Sequence, residues 1–213
     1  MFDILWICLT YCIGSVPFGL VFAKTFCRID PRTAGSGNVG ATNVARLCGK
    51  AWGAATLACD LLKGTIPVFI AMQYSTSELV WTLTALAAIL GHLYSCFLGF
   101  KGGKGVLVAG GAILAVQPIL LPVLTVVFLL CLVPTGMVSL GSIAMAASYP
   151  VLTLIYGLLK GFAADDLIVC VVGAAIMGGM VIWMHRANIQ RIREGKEYRF
   201  GTVSYTHLTL PTI

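Results

Sequence analysis

Three short segments hold most of the polar chemistry in an otherwise apolar chain. The first, from Gly35 to Arg46, reads GSGNVGATNVAR. Glycines let backbone N–H groups approach an anion closely, and a helix starting just after them favours negative charge at its N-terminus. Gly37 is one such position; Ser36, Asn38, Thr42 and Asn43 add neutral donors, and Arg46 offers a guanidinium fork that can hold a phosphate through two hydrogen bonds. The second segment, GHLYSCFLGFKGGKGV from Gly91 to Val106, sets Lys101 and Lys104 among Gly102, Gly103 and Gly105, again a combination suited to a phosphate group. The third, HRANIQRIREGKEYR from His185 to Arg199, places His185 and Asn188 three residues apart, so a helix would turn both toward one bound group. The arginines from Arg191 onward suit anionic lipid headgroups.

Several other chemistries are excluded. GSGNVG fits G-x-G-x-x-G, but a dinucleotide turn needs a preceding strand, a βαβ unit and an acidic residue about 20 positions on. Here an apolar helix precedes it, and the acidic residue near that distance, Asp60, lies inside another apolar run. GGKG lacks the full spacing of an ATPase phosphate loop. No strong serine or cysteine triad, metal-ligand cluster or H-x-x-x-x-D motif occurs, so neither a metal nor a cofactor is expected, and no nucleic-acid partner. The eight cysteines form no C-x-x-C pair and read as small hydrophobes. His92 reads as a hydrogen bonder between membrane helices, and Asp60 with Lys63, at i and i+3, as a structural ion pair within the membrane.

The elements that must position these groups are membrane helices. The chain is 59% hydrophobic and 10% charged, where a soluble domain carries about 25% charged residues. Apolar runs cover residues 4–23, 51–72, 79–98, 106–133, 137–159 and 167–184. All Lys and Arg except Lys63 and Lys160 fall in or beside the three polar segments, which the positive-inside rule places in the cytoplasm, with the N-terminus outside. The second and third segments share a face, so an even number of crossings must join them. As one helix, the run 106–133 would be roughly 42 Å long, against a hydrocarbon core of about 30 Å. Pro118 and Pro122 mark a break in it. The expectation is an all-α, polytopic bundle of seven transmembrane helices, or of five if that run is one span and another run does not cross, with a cytoplasmic C-terminus, forming one membrane domain over residues 1–201. The tail TVSYTHLTLPTI, residues 202–213, has no apolar span and resembles translated adaptor read-through. It is expected to be non-native, and His207 is discounted.

AGSGNVGATNVAR, GHLYSCFLGFKGGKGV, the later VSLGS and HRANIQRIREGKE, in this order, resemble the bacterial acyl-phosphate:glycerol-3-phosphate acyltransferase (PlsY) family from about residue 5 to 200. DLLKG at 60–64 is also similar. The resemblance implies acyl transfer from acyl phosphate to the sn-1 hydroxyl of glycerol 3-phosphate, giving lysophosphatidate and phosphate in bacterial phospholipid synthesis. It implies a multi-pass protein of the bacterial cytoplasmic membrane, with an active site facing the cytoplasm and the acyl tail between helices. By motif position it assigns catalysis to Ser36, Arg46, Lys104, His185 and Asn188. Substrate binding falls to Gly37, Asn38, Asn43, Lys101, Gly102, Gly103, Gly105 and Ser142, and a structural role to Glu197. Ser95 stands where the family often has proline, and Gly136-Met137 where it usually has a basic-aromatic pair. Acyl phosphate is already activated, so the work is to hold two anions together and stabilise developing charge. His185 and a substrate phosphate oxygen are both candidate bases, the latter favoured for want of a buried carboxylate. The rival reading is an organic-phosphate transporter, which would place its binding groups on broken helices near the midplane.

Overall fold

A computed structural model describes residues 2–199; the tail lies outside the described residues. Every regular element among them is helical: α1 (Phe2–Ser15), α2 (Phe18–Cys27), α3 (Ala41–Cys48), α4 (Lys50–Tyr74), α5 (Glu78–Leu93), a 3-10 turn (Cys96–Leu98), α6 (Val106–Val116), α7 (Leu120–Thr135), α8 (Val138–Lys160), α9 (Ala164–Met184) and α10 (Arg186–Arg193). Five stretches are long and apolar enough to cross a bilayer: Phe2–Cys27, Lys50–Tyr74, Glu78–Leu98, Val138–Lys160 and Ala164–Met184. Large side chains such as Leu130, Val133 and Leu159 point outward, as a lipid-facing surface requires.

The first stretch is broken at Pro17, which has no N–H to continue the ladder. Two buried side chains come to the carbonyls at this break. Lys63 Nζ donates to the Val16 carbonyl at 2.8 Å, and Ser95 Oγ to the Ser15 carbonyl at 2.6 Å. Ser95 thus ties the chain just after α5 to the α1–α2 break. Lys63 also pairs with Asp60 at 2.9 Å, both side chains buried, as the spacing predicted.

The run 106–133 splits as expected, at Gln117–Ile119, leaving Pro122 in the first turn of α7 where proline is tolerated. At about 16 Å, α6 is short, and α7 at about 24 Å is little longer. α7 runs antiparallel to α8: Phe128 packs on Gly141, and Thr153 Oγ1 donates to Gln117 Oε1 at the α6–α7 turn. Whether or not the short α6 and α7 are counted as crossings, the number between the second and third polar segments stays even, so five and seven both fit the expectation of one face. Small residues let α4 and α6 touch: a Cβ at Gly64 would collide with the Val108 carbonyl, and one at Gly111 with the Leu61 carbonyl. Behind them Val68, Ile89, Leu93, Val108, Leu124 and Met177 form the buried core.

Cys27 and Cys48 depart from the small-hydrophobe reading. α2 and α3 end beside each other, with the two Cα atoms 5.8 Å apart, and the sulfurs are bonded. Sequence separation hid this pair, because the intervening loop folds back on itself.

Candidate active site

The loop between α2 and α3 is organised by Asn43, which is buried. Its Nδ2 donates to the carbonyls of Pro31, Ala34 and Asn38 at 2.9–3.1 Å, and its Oδ1 accepts from the Ser36 N–H at 2.9 Å. Gly35 and Gly37 take positive φ, and a Cβ at Gly35 would run into Asn43 Oδ1. Asn38 Oδ1 accepts from the Gly40 N–H at 2.7 Å just before α3 begins. At the loop's start Asp30 accepts from the Arg32 guanidinium at 2.6 Å and pairs with Lys24, and these bonds hold its carboxyl well below the usual range. The loop thus presents Ser36 beside the N-terminus of α3, whose first turn carries Thr42 and whose last turn carries Arg46. Arg46 is fixed by Asn43 Oδ1 at 3.2 Å, with its guanidinium 4.9 Å from the centre of the Tyr198 ring.

The second loop works differently from a backbone cradle. Its Gly102 and Gly103 N–H groups donate to the Leu93 and His92 carbonyls, satisfying the open end of α5. A Cβ at either glycine would strike His92. These glycines therefore serve a close fold-back that delivers Lys104. Gly105, at φ 80°, turns the chain into α6.

Lys104 Nζ donates to Asn188 Oδ1 at 2.6 Å, and Asn188 Nδ2 donates to Glu197 Oε1 at 2.7 Å. Glu197 also accepts from Ser139 Oγ and Arg191 Nε, each at 2.8 Å. Burial lowers the Lys104 pKa to about 8; Glu197 opposes the shift, while Arg191 and Arg46 add to it. Burial, helped by the charge of Lys104, lowers the His185 pKa to about 4. His185 Nδ1 lies 2.7 Å from the Val181 carbonyl, which can only accept. The proton therefore sits on Nδ1, and Nε2 keeps its lone pair.

These groups line one cavity of about 480 Å³. Its polar end holds Ser36, Asn38, Asn43, Arg46, Lys104, His185 and Asn188, and the N-termini of α3, α6 and α8 open into it through Gly40, Gly105 and Val138. Its apolar lining comes from the membrane helices, Leu57 and Leu61 on α4, Val106 and Leu107 on α6, Leu121 and Phe128 on α7 and Met145 on α8, whereas most of the polar lining comes from the loops and helix ends, so we take the helix side as the apolar end. Such a space takes an amphiphile: an anionic head among fixed cations and helix N-termini, a hydrocarbon tail between helices.

Of the expected site residues, Gly105, Ser142 and Glu197 also line the cavity, whereas Gly37, Lys101, Gly102 and Gly103 do not. Ser142 Oγ donates back to the Val138 carbonyl. Asp60 is buried and lines the wall, and the side chain of Glu197 is buried in its network, so the expectation that the site lacks a buried carboxylate does not hold. His92 also reaches the cavity, with Nδ1 3.8 Å from Asp60 Oδ1, rather than serving only as a bond between helices. Tyr198 and Arg199 were missed; an aromatic residue between two charges, in KEYR, was the available signal.

A family profile for glycerol-3-phosphate acyltransferase matches residues 4–195. A glycerol-3-phosphate acyltransferase of Nitratidesulfovibrio vulgaris is 48% identical over 199 residues, covering 92% of this chain; the chain spans 58% of that relative's length. One of Lawsonia intracellularis is 46% identical, covering 92% of this chain and 94% of the relative. The crystal structure of PlsY (YgiH), an integral membrane glycerol 3-phosphate acyltransferase, in its glycerol 3-phosphate form superposes with a TM-score of 0.84 at 39% identity, over 95% of this chain and 97% of that one. Its lysophosphatidic acid form gives 0.82 at 37% identity, over the same shares of the two chains.

Proposed function

The chain belongs to the glycerol-3-phosphate acyltransferase family, and from that premise we propose that it moves a fatty acyl group from acyl phosphate to the sn-1 hydroxyl of glycerol 3-phosphate, giving lysophosphatidate and phosphate. The observation that supports this best is the single cavity joining a cationic end to an apolar one. Arg46 and Lys104 hold the phosphates of donor and acceptor against their mutual repulsion. The acceptor hydroxyl oxygen attacks the acyl carbon, and the bond from that carbon to the bridging phosphate oxygen breaks. The electron pair leaves on phosphate, whose growing charge meets Lys104 and the α6 N-terminus. His185 Nε2 can accept a hydrogen bond from the hydroxyl, but a ring titrating at about 4 is a weak base. A phosphate oxygen, with a second pKa of about 6 for a phosphomonoester, is the stronger base and takes the proton.

The polar face is cytoplasmic in this reading, following the basic residues. α6 and α7 form the shallow pair of seven crossings, as one membrane domain. Their turn is compatible with membrane depth because Gln117 is buried and bonded to Thr153. A transporter would leave the cationic cluster unexplained at one interface rather than near the midplane.

The test is direct. Purified protein in lipid nanodiscs, given palmitoyl phosphate and glycerol 3-phosphate, should release inorganic phosphate only when both are present. No release from folded protein overturns the reading. The pH profile is also fixed in sign. Lys104 is charged below about pH 8 and neutral above it in the free protein. kcat/KM, which reports the free enzyme, should therefore fall as pH rises through about 8. The limb for kcat should move upward, because a bound anion favours the charged ammonium. A kcat/KM flat from pH 7 to 9.5 would contradict this role.

A further inference from the structure

Gly110 lies in the interior of α6, where glycine is disfavoured relative to alanine. Other buried helical glycines have a packing reason. At Gly14, Gly64, Gly91, Gly111 and Gly178 a Cβ would collide with a carbonyl of a neighbouring helix. At Gly110 it would meet only Leu121 Cδ1 at 3.7 Å and Leu61 Cδ1 at 3.8 Å, which are ordinary contacts. Both leucines line the apolar end of the cavity. Helix packing therefore does not demand this glycine, and what its missing side chain leaves open is the apolar end itself.

Gly110 also stands at a boundary. A second void of about 30 Å³ lies beside the main cavity, and Val106, Gly110, Ser142 and Met145 line both. Its far wall is Ile113, Leu124 and Tyr149. One water needs about 10–15 Å³ of such space, so the void has room for a few small groups, such as the terminus of a chain. Met145, with three rotatable bonds and a soft thioether, can swing to join the two spaces.

We propose that Gly110 sets the longest acyl chain the protein accepts, with Met145 as the yielding partition beyond it. This rests on the acyl-phosphate reading above. A side chain at 110 would project between Leu61 and Leu121 and stop the tail short, while a smaller residue at 145 would let it run on. Each methylene kept out of an apolar site lowers affinity about fourfold, so excluding two or more carbons costs tenfold or more.

The experiment measures kcat/KM for octanoyl, lauroyl, palmitoyl and stearoyl phosphate at saturating glycerol 3-phosphate. Gly110→Leu should lower the palmitoyl-to-octanoyl ratio at least about tenfold. Met145→Ala should raise the stearoyl-to-lauroyl ratio. If Gly110→Leu does not fold, Gly110→Ala decides, because its Cβ fits without collision and alanine favours the helix; it should lower the ratio for the longest chain accepted by about fourfold. A profile that keeps its shape in Gly110→Leu, or in Gly110→Ala where that variant decides, overturns the proposal while leaving the acyl-phosphate reading intact. Wild-type protein that releases phosphate from no chain length overturns both.

Discussion

Lys104→Ala is expected to lower kcat for glycerol 3-phosphate-dependent phosphate release by about 10²–10³-fold, the usual effect of removing one donor aimed at developing charge. The ammonium is carried into the cavity by a loop whose preceding glycines are pinned to the end of α5. It meets Asn188 Oδ1, a neutral acceptor, at 2.6 Å, and Glu197 lies one hydrogen bond further on. Its charge is therefore buried without a carboxylate in direct contact, and remains available to an incoming phosphate. Alanine would remove that charge and leave Asn188 Oδ1 without its donor. Because burial disfavours the charged lysine in the free protein, the variant should unfold at a temperature no lower than the wild type by more than a few degrees. Turnover within threefold of wild type would remove Lys104 from the mechanism.

Arg46→Lys should be almost as damaging as Arg46→Ala, each lowering kcat/KM by about 10–100-fold, the range for loss of a charged hydrogen-bonding group. One nitrogen of the guanidinium is held by Asn43 Oδ1, and its plane lies near the Tyr198 ring. These contacts fix the orientation in which the remaining N–H groups can face a phosphate. Lysine keeps the charge but lacks the planar fork and the stacking face. Parallel kinetics of the two variants check this. If lysine restored activity to within threefold of wild type, charge alone would matter and the fork would not.

Much of this site was legible because its residues fall in three short strings whose composition breaks an apolar background. Arg46, Lys104, His185 and Asn188 converge on one cavity, as the expectation of a shared membrane face required. Composition could not tell which donors would be taken up internally. Asn43 has the inventory of a substrate ligand, yet its amide organises the backbone around it. Gly102 and Gly103 look like a phosphate cradle, yet their N–H groups close α5. In each case a helix end or tight turn left backbone groups needing partners, and nearby polar atoms met that need first. The apolar end was illegible for the opposite reason. Leu61, Leu121 and Gly110 are unremarkable in runs of similar residues, and only the angles at which α4, α6 and α7 pack make them a wall. The bond between Cys27 and Cys48 likewise depends on a loop path that spacing alone does not encode.

The network through Asn188 and Glu197 has a consequence for how the protein is made. Both residues follow α9, the last long apolar helix among the described residues, and Tyr198, whose ring lies 4.9 Å from the Arg46 guanidinium, comes later still. During synthesis every membrane helix leaves the ribosome before them. Lys104 can therefore gain its acceptor, and Arg46 the Tyr198 ring, only from a segment that is made after these helices. A released chain ending at residue 185 would keep α1 to α9 and lack both partners, so the chemistry is completed by residues outside the long helices.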